Sequence, residues 1–170
     1  MKHTISVIVE NKFGVLARVS GLFSSRGYNI DSLAVGETED PKISRMTIVV
    51  KGDDRILEQV IKQLNKLVDV IEVRDLKKGS YVGRVLTLMK VKCTSKSRTE
   101  ILEIANVFRA KTVDIGHESL TIQITGTGDK VDAFVELMKP FGILELANTG
   151  LVAMHRELNE NSGINEGIKK

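Results

Sequence analysis

At 170 residues, 42% of them hydrophobic, the chain is long enough for one medium domain or two small ones with packed cores. Its net charge is only +3, and its aromatic share is 4% with no Trp, which is thin for a single-strand nucleic-acid binder that needs ring faces for base stacking. One cysteine, Cys93, excludes an internal disulfide framework, and no apolar run reaches the roughly 18 residues of a membrane span. The first ten residues, MKHTISVIVE, lack the long apolar centre of a signal peptide, so the expected setting is the reduced cytoplasm.

Residues 3–10 alternate as a strand, with Ile5, Val7 and Val9 on one face and Ile8 interrupting the polar side. Asn11 and Lys12 make a turn. From Phe13 the spacing is helical: Phe13, Leu16, Val19, Leu22 and Phe23 recur at three or four residues and are expected to face inward. Gly27 is a natural left-handed stop. Residues 29–35 read as a strand around Ile30, residues 38–41 as a loop ending in Pro41, and residues 43–51 as the second arm of a hairpin. Asp53 is a candidate N-cap for a helix with a core stripe of Ile56, Leu57, Val60, Ile61, Leu64, Leu67 and Val68, and with Glu58, Lys62 and Lys66 toward water. Residues 70–76 close the unit as a strand.

After a linker over residues 77–80 the same order returns. Residues 84–93 alternate, with Val85, Thr87, Met89 and Val91 on one side and Leu86 and Leu88 on the other. Residues 97–110 are helical, with Ile101, Ile104, Ala105 and Phe108 inward. Residues 111–115 and 119–126 are strands about a turn at Gly116 and His117. Asp129 is expected to cap a helix carrying Val131, Phe134, Leu137 and Met138 inward, which Pro140 and Gly142 stop. Residues 143–153 hold the last strand. The fold class is therefore α+β, with two ferredoxin-like βαββαβ domains in tandem over residues 1–77 and 78–156 and a polar tail over 157–170 that is expected to be disordered. Each sheet has helices for one face only, so its other face and its open edges point to dimerisation through the sheets.

No catalytic constellation emerges. His3, His117 and His155 stand apart from acids or cysteine at ligand spacing, and Cys93 reads as a structural thiol. Gly126, Thr127 and Gly128 begin like a phosphate loop but lack its lysine and serine, so a strand-to-helix turn is the better reading. The chain is expected to have no active site, metal or cofactor of its own. The middle segment is basic: Lys77, Lys78, Arg84, Lys90, Lys92, Lys96, Arg98, Arg109 and Lys111 face only Glu100 and Glu103. That suits an acidic partner surface, nucleic acid or an anionic ligand, and equally a solvated face.

The loop from Asn11 to Gly14 has more specific chemistry. A helix start offers free N–H groups to a carboxylate, Gly14 permits close approach to the backbone, and an asparagine amide can serve an ammonium or a carboxylate. Val15 and Leu16 are placed to line a pocket for an aliphatic side chain. The residues alone equally allow Asn11 as a plain turn former and Gly14 as a plain loop glycine.

The stretches ISVIVENKFGVLARVSGLFSSRGYNIDSL, SRMTIVVKGDD and LEQVIKQLNKLVDVIEV resemble the small, regulatory subunits of acetolactate synthase (acetohydroxyacid synthase). RTEILEIANVFRAKTVDIG and TGTGDKVDAFVELMKPFGILELANTGLVAMHR resemble the same family, so the resemblance runs to about residue 156. It implies that the first unit is an ACT domain that binds an effector and dimerises, and that the second is the family's C-terminal domain. It also implies a large catalytic partner subunit, which alone carries thiamine diphosphate, Mg²⁺ and FAD. On this resemblance the chain activates that subunit and confers feedback inhibition by valine or another branched-chain amino acid. The effector site lies between two ACT domains of a homodimer, and the matching positions are Asn11, Gly14 and Asn29, with Val15, Leu16 and Ile30 close by. The alternatives are an RNA-binding module of the same topology and a free-standing amino-acid sensor.

Overall fold

The computed structural model describes residues 1–77 and 80–156; linker positions 78 and 79 and the predicted tail over 157–170 lie outside the described residues. The first unit runs β1 (Lys2–Glu10), α1 (Val15–Ser24), β2 (Ile30–Glu37), β3 (Ile43–Lys51), α2 (Asp54–Leu64) and β4 (Val70–Asp75). The second runs β5 (Tyr81–Lys92), α3 (Arg98–Val107), β6 (Lys111–Ile115), β7 (Ser119–Gly126), α4 (Gly128–Met138), a 3-10 turn (Lys139–Phe141) and β8 (Ile143–Asn148), and β9 (Val152–His155) follows. The fold is α+β, with the predicted βαββαβ order in both halves.

The first sheet has the order β2-β3-β1-β4 and the second β6-β7-β5-β8, with every described pairing antiparallel. Side chains alternate across each sheet, so Ile5, Val7, Val9, Met46, Ile48 and Val50 line one face of the first. Val15, Val19, Leu22 and Phe23 of α1 close over them with Leu57, Val60 and Leu64 of α2. In the second sheet Met89, Val91, Leu120, Ile122 and Ile124 meet Ile101, Ala105, Val131, Phe134 and Met138. The Phe108 and Phe134 rings pack tilted at 55° with centroids 5.4 Å apart. The α2 cap is as predicted, since Asp53 accepts from the Ile56 N–H at 2.9 Å. Gly27, at φ 69°, ends the turn after α1; its N–H donates to Ser24 O at 3.1 Å, and the Tyr28 N–H donates to Phe23 O at 3.0 Å, so two terminal carbonyls are satisfied.

Several local expectations are corrected. α1 starts at Val15, so its inward face is Val15, Val19, Leu22 and Phe23, while Phe13 and Leu16 are exposed. Val68 lies beyond the end of α2 and is exposed, and Leu137 falls on the outer side of α4. α4 starts after Thr127, so Asp129 sits in its first turn, where a carboxylate favours the positive end of the helix, rather than at the cap. The C-terminal stretch forms two strands rather than one.

The second of these, β9, does not join the end of the second sheet. It pairs with the first four residues of β5, Tyr81 opposite His155 and Arg84 opposite Val152, as a separate two-stranded ribbon. That ribbon lies on the helix-free face of the first sheet. The Leu151 N–H donates to Ser32 Oγ at 2.9 Å, the Ala153 N–H donates to Thr47 Oγ1 at 3.4 Å, and Thr4 Oγ1 meets the Tyr81 hydroxyl at 3.4 Å. Thr4, Ser6, Thr47 and Val49 are buried although no helix covers them, and Ala153 is buried with them. Part of the cover that the sequence assigns to a second copy therefore comes from the same chain. Among the described residues, no helix is long and apolar enough to cross a membrane.

Gly150, two residues before β9, lies close against the first sheet, with φ 79° and an added Cβ only 2.8 Å from Ser32 Oγ and 3.3 Å from Leu33 O. Gly150→Ala is expected to cost about 2–3 kcal/mol in urea unfolding, from left-handed strain plus the clash. Gly27→Ala, left-handed but with nothing within 4 Å, is expected to lose only about 1 kcal/mol. Equal losses would show that the ribbon is not seated on the sheet.

Candidate functional site

The start of α1 is built from three constraints. Gly14 occupies the N-cap position at φ 82°, a conformation that L side chains rarely adopt. No side chain caps the helix, and its first turn carries no acidic residue. The first helical bond runs from the Arg18 N–H to Gly14 O at 3.0 Å, and the Val15 N–H reaches Lys12 O at 3.3 Å. The Leu16 and Ala17 N–H groups have no partner among the described residues. Two open donors and the positive end of the helix dipole therefore meet at a glycine.

Asn11 holds the neighbouring loop in place. Its Nδ2 donates to Glu37 Oε1 at 3.0 Å and to Pro41 O at 2.8 Å, and its own N–H donates to Lys42 O at 2.6 Å. The β2–β3 hairpin is thus tied to the end of β1, and the Asn11 carbonyl oxygen stays available as an acceptor. Lys12 pairs with Glu10 at 2.6 Å, and the hydrogen bond to that carboxylate, with its charge, holds the exposed Lys12 ammonium above its ordinary pKa.

Two residues at this end were not singled out from the sequence. Arg18 lies one turn below Gly14, its Nη1 3.3 Å from where a Gly14 Cβ would sit, and it pairs with Asp69 at 2.6 Å. The four-residue spacing from Gly14 to Arg18 is the signal that places them on one helix face. The guanidinium adds positive charge to the region where a carboxylate would dock.

The predicted site residues divide into groups. Asn11 and Gly14 are neighbours, and the backbone of Leu16 is beside them. Leu16 itself is 45% exposed and free to touch a ligand. Val15 is corrected: its side chain is buried in the core at 3% exposure, so it cannot line a ligand pocket. Asn29 and Ile30 lie elsewhere. Ile30 opens β2 opposite Val50, at the end of the sheet where Lys2 faces Lys51, whereas Asn11 follows the end where Glu10 faces Ile43. The length of β1 separates them, ~25–30 Å at ~3.3 Å per residue. Ile30 packs against the core, while Asn29 is exposed and makes only a 3.4 Å contact with Asp31, which also pairs with Lys2 and Lys51. One chain thus presents two half-sites at opposite ends of one sheet.

The basic segment is less uniform than its sequence. Arg98 donates to Gly116 O at 3.0 Å and to His117 O at 3.1 Å, which pins a turn, and Lys90 pairs with Glu145 at 3.2 Å. Lys92, Lys96, Arg109 and Lys111 remain exposed. Tyr81 is the only Phe, Tyr or Trp in any described strand, and its hydroxyl meets Thr4, so neither sheet offers an aromatic-rich base-stacking platform.

Comparison with known proteins agrees along the whole described chain. A family model described as an AHAS small subunit-like ACT domain matches residues 5–72, and one described as the small subunit of acetolactate synthase matches residues 84–157. A probable acetolactate synthase small subunit of Archaeoglobus fulgidus is 57% identical over 156 residues, covering 92% of this chain and 98% of its own. The acetolactate synthase small subunit of Aquifex aeolicus is 50% identical over 166 residues, covering 97% and 86%. The crystal structure of the Thermotoga maritima acetolactate synthase small subunit matches with a TM-score of 0.86 at 42% identity, over 92% of this chain and 98% of that one.

Because the bonds from Asn11 are exposed, Asn11→Ala is expected to keep the fold and lose only about 0.5–1.5 kcal/mol in chemical denaturation. A loss above about 3 kcal/mol would make Asn11 a structural turn residue instead.

Proposed function

The chain belongs to the acetolactate synthase small-subunit family, and from that premise we propose that it is the regulatory partner of a large catalytic subunit. It binds that subunit, raises its activity and makes it sensitive to feedback inhibition by valine or another branched-chain amino acid. In this reading the reaction and its thiamine diphosphate, Mg²⁺ and FAD belong to the catalytic subunit, in the cytoplasm. The chain itself supplies the effector site.

The observation that carries this reading is the uncapped start of α1 at a left-handed Gly14, with Asn11 beside it. The effector carboxylate accepts from the Leu16 and Ala17 N–H groups, with Arg18 adding charge. The ammonium donates to the Asn11 side-chain oxygen. A second copy, related by a two-fold axis, brings Asn29 and Ile30 to complete the site, because no single chain joins the two ends of its sheet. Valine has about eight heavy atoms, and at a ceiling near 1.5 kcal/mol per atom its binding stays below roughly 12 kcal/mol, compatible with micromolar to millimolar sensing. Feedback needs a coupling of only about 1–3 kcal/mol between this site and the catalytic partner.

Gly14→Asp tests the placement. Its carboxylate would occupy the effector carboxylate position, next to Arg18 and the helix N-terminus. Reconstituted with the catalytic subunit, the variant is expected to activate acetolactate formation as the wild type does and to lose valine inhibition. Full valine sensitivity in that assay would place the site elsewhere.

A further inference from the structure

Where the ribbon of β9 and the start of β5 crosses the first sheet, it leaves a cleft along each side. One of these, about 320 Å³, is lined by Ser6, Arg45 and Arg74 of the first sheet, by Leu76, and by Met154 and His155 of the ribbon. No carboxylate lines it. Arg74 pairs with its strand neighbour Glu72. Arg45 has no acidic partner among the described residues: its Nη1 donates to Ser6 Oγ at 3.0 Å, and it reaches the cleft on the other side of the ribbon as well. The single acid of that second cleft, Glu37, is engaged by Asn11.

Arg45 is thus a half-buried guanidinium on an inner strand, with one of its five donors used and no salt bridge to a carboxylate among the described residues. Its free donors face the clefts, where an anion could accept from them. Two guanidiniums, an imidazole and a hydroxyl around one acid-free cleft match the donor set of a tetrahedral oxyanion. Leu76 and Met154 add an apolar wall that strengthens the polar contacts beside it. We propose that this cleft binds a phosphate-type oxyanion, free or at the end of a small phosphorylated molecule, which bridges Arg45 and Arg74 of the first sheet to His155 of the ribbon. The site shares no residue with the loop at Gly14 and does not depend on the effector reading. Its occupancy links the two domains directly, because His155 is held by the strand that continues into the second sheet.

The test uses the full chain, titrated with inorganic phosphate and with a nucleoside monophosphate against chloride at matched ionic strength. Calorimetry is expected to show saturable binding that weakens about tenfold in Arg45→Gln, the loss expected for one charge-assisted bond. Arg74→Gln, at a more exposed position, is also expected to weaken it, while Lys111→Gln, outside the cleft, leaves it unchanged. Phosphate is expected to slow hydrogen exchange in residues 81–84 and 152–155 of the wild type, and at the same phosphate concentration to slow it less in Arg74→Gln. Tighter binding of the nucleotide assigns the site to a phosphorylated small molecule, and equal binding assigns it to phosphate itself. Absence of saturation, or an equal loss in Lys111→Gln and the two arginine variants, overturns the proposal.

Discussion

The arrangement of the two domains depends on one continuous strand. β5 spends its first four residues paired with β9 over the first sheet and its remaining length as an inner strand of the second. A hydrogen-bonded strand bends little, so the position of the ribbon on the first sheet dictates where the second sheet can sit. The ribbon can approach so closely only because the facing surface is small and polar. Thr4, Ser6, Ser32, Ala34 and Thr47 share that face, and the Ser32 and Thr47 hydroxyls accept the N–H groups of Leu151 and Ala153. A larger side chain at any of these positions would lift the ribbon away and, with it, the second sheet.

This contact also marks the limit of what was legible in the sequence. Strand alternation and helical spacing are local signals, and they placed β3, β6 and β7 at their observed ends and identified most of both cores. They failed where two apolar stripes overlap. In α1 the expected series Phe13, Leu16, Val19, Leu22, Phe23 and the observed series Val15, Val19, Leu22, Phe23 share their last three members, and Gly14 decides the start by setting the first helical residue at Val15. β9 was missed for a different reason. Four residues, VAMH, carry no period, and their strand state comes from partners about seventy residues away in sequence. The helix-free face of β1 and β3 called for cover in the sequence, which pointed to a second copy rather than to the ribbon seated there.

The loop at Gly14 was legible for the opposite reason, because its chemistry is local. A glycine that opens a helix, a preceding asparagine and an acid-free first turn are all contained in a few consecutive residues. Local spacing alone did not convey the separation of Asn11 from Asn29, which only the resemblance, with its site between two ACT domains, implied. They bracket α1 and so seem neighbours, but a helix packed along a strand carries the chain from one end of the sheet to the other. A ligand that needs both asparagines must therefore recruit them from two chains. In a two-fold pair such recruitment occurs twice, once at each end of the interface.

The two halves of this picture meet in the β2–β3 hairpin. At its tip, Asn11 grips Glu37 and the Pro41 carbonyl, so the hairpin is attached to the loop that opens α1. Along its body, Ser32 on β2 and Thr47 on β3 hold the ribbon. A displacement of the hairpin thus changes contacts at the Gly14 loop and at the ribbon together. Each of the two ribbon bonds contributes about 1 kcal/mol net, and a regulatory coupling between sites is typically about 1–3 kcal/mol. Weakening one or two of these bonds is therefore of the size of such a coupling, without any repacking of either hydrophobic core.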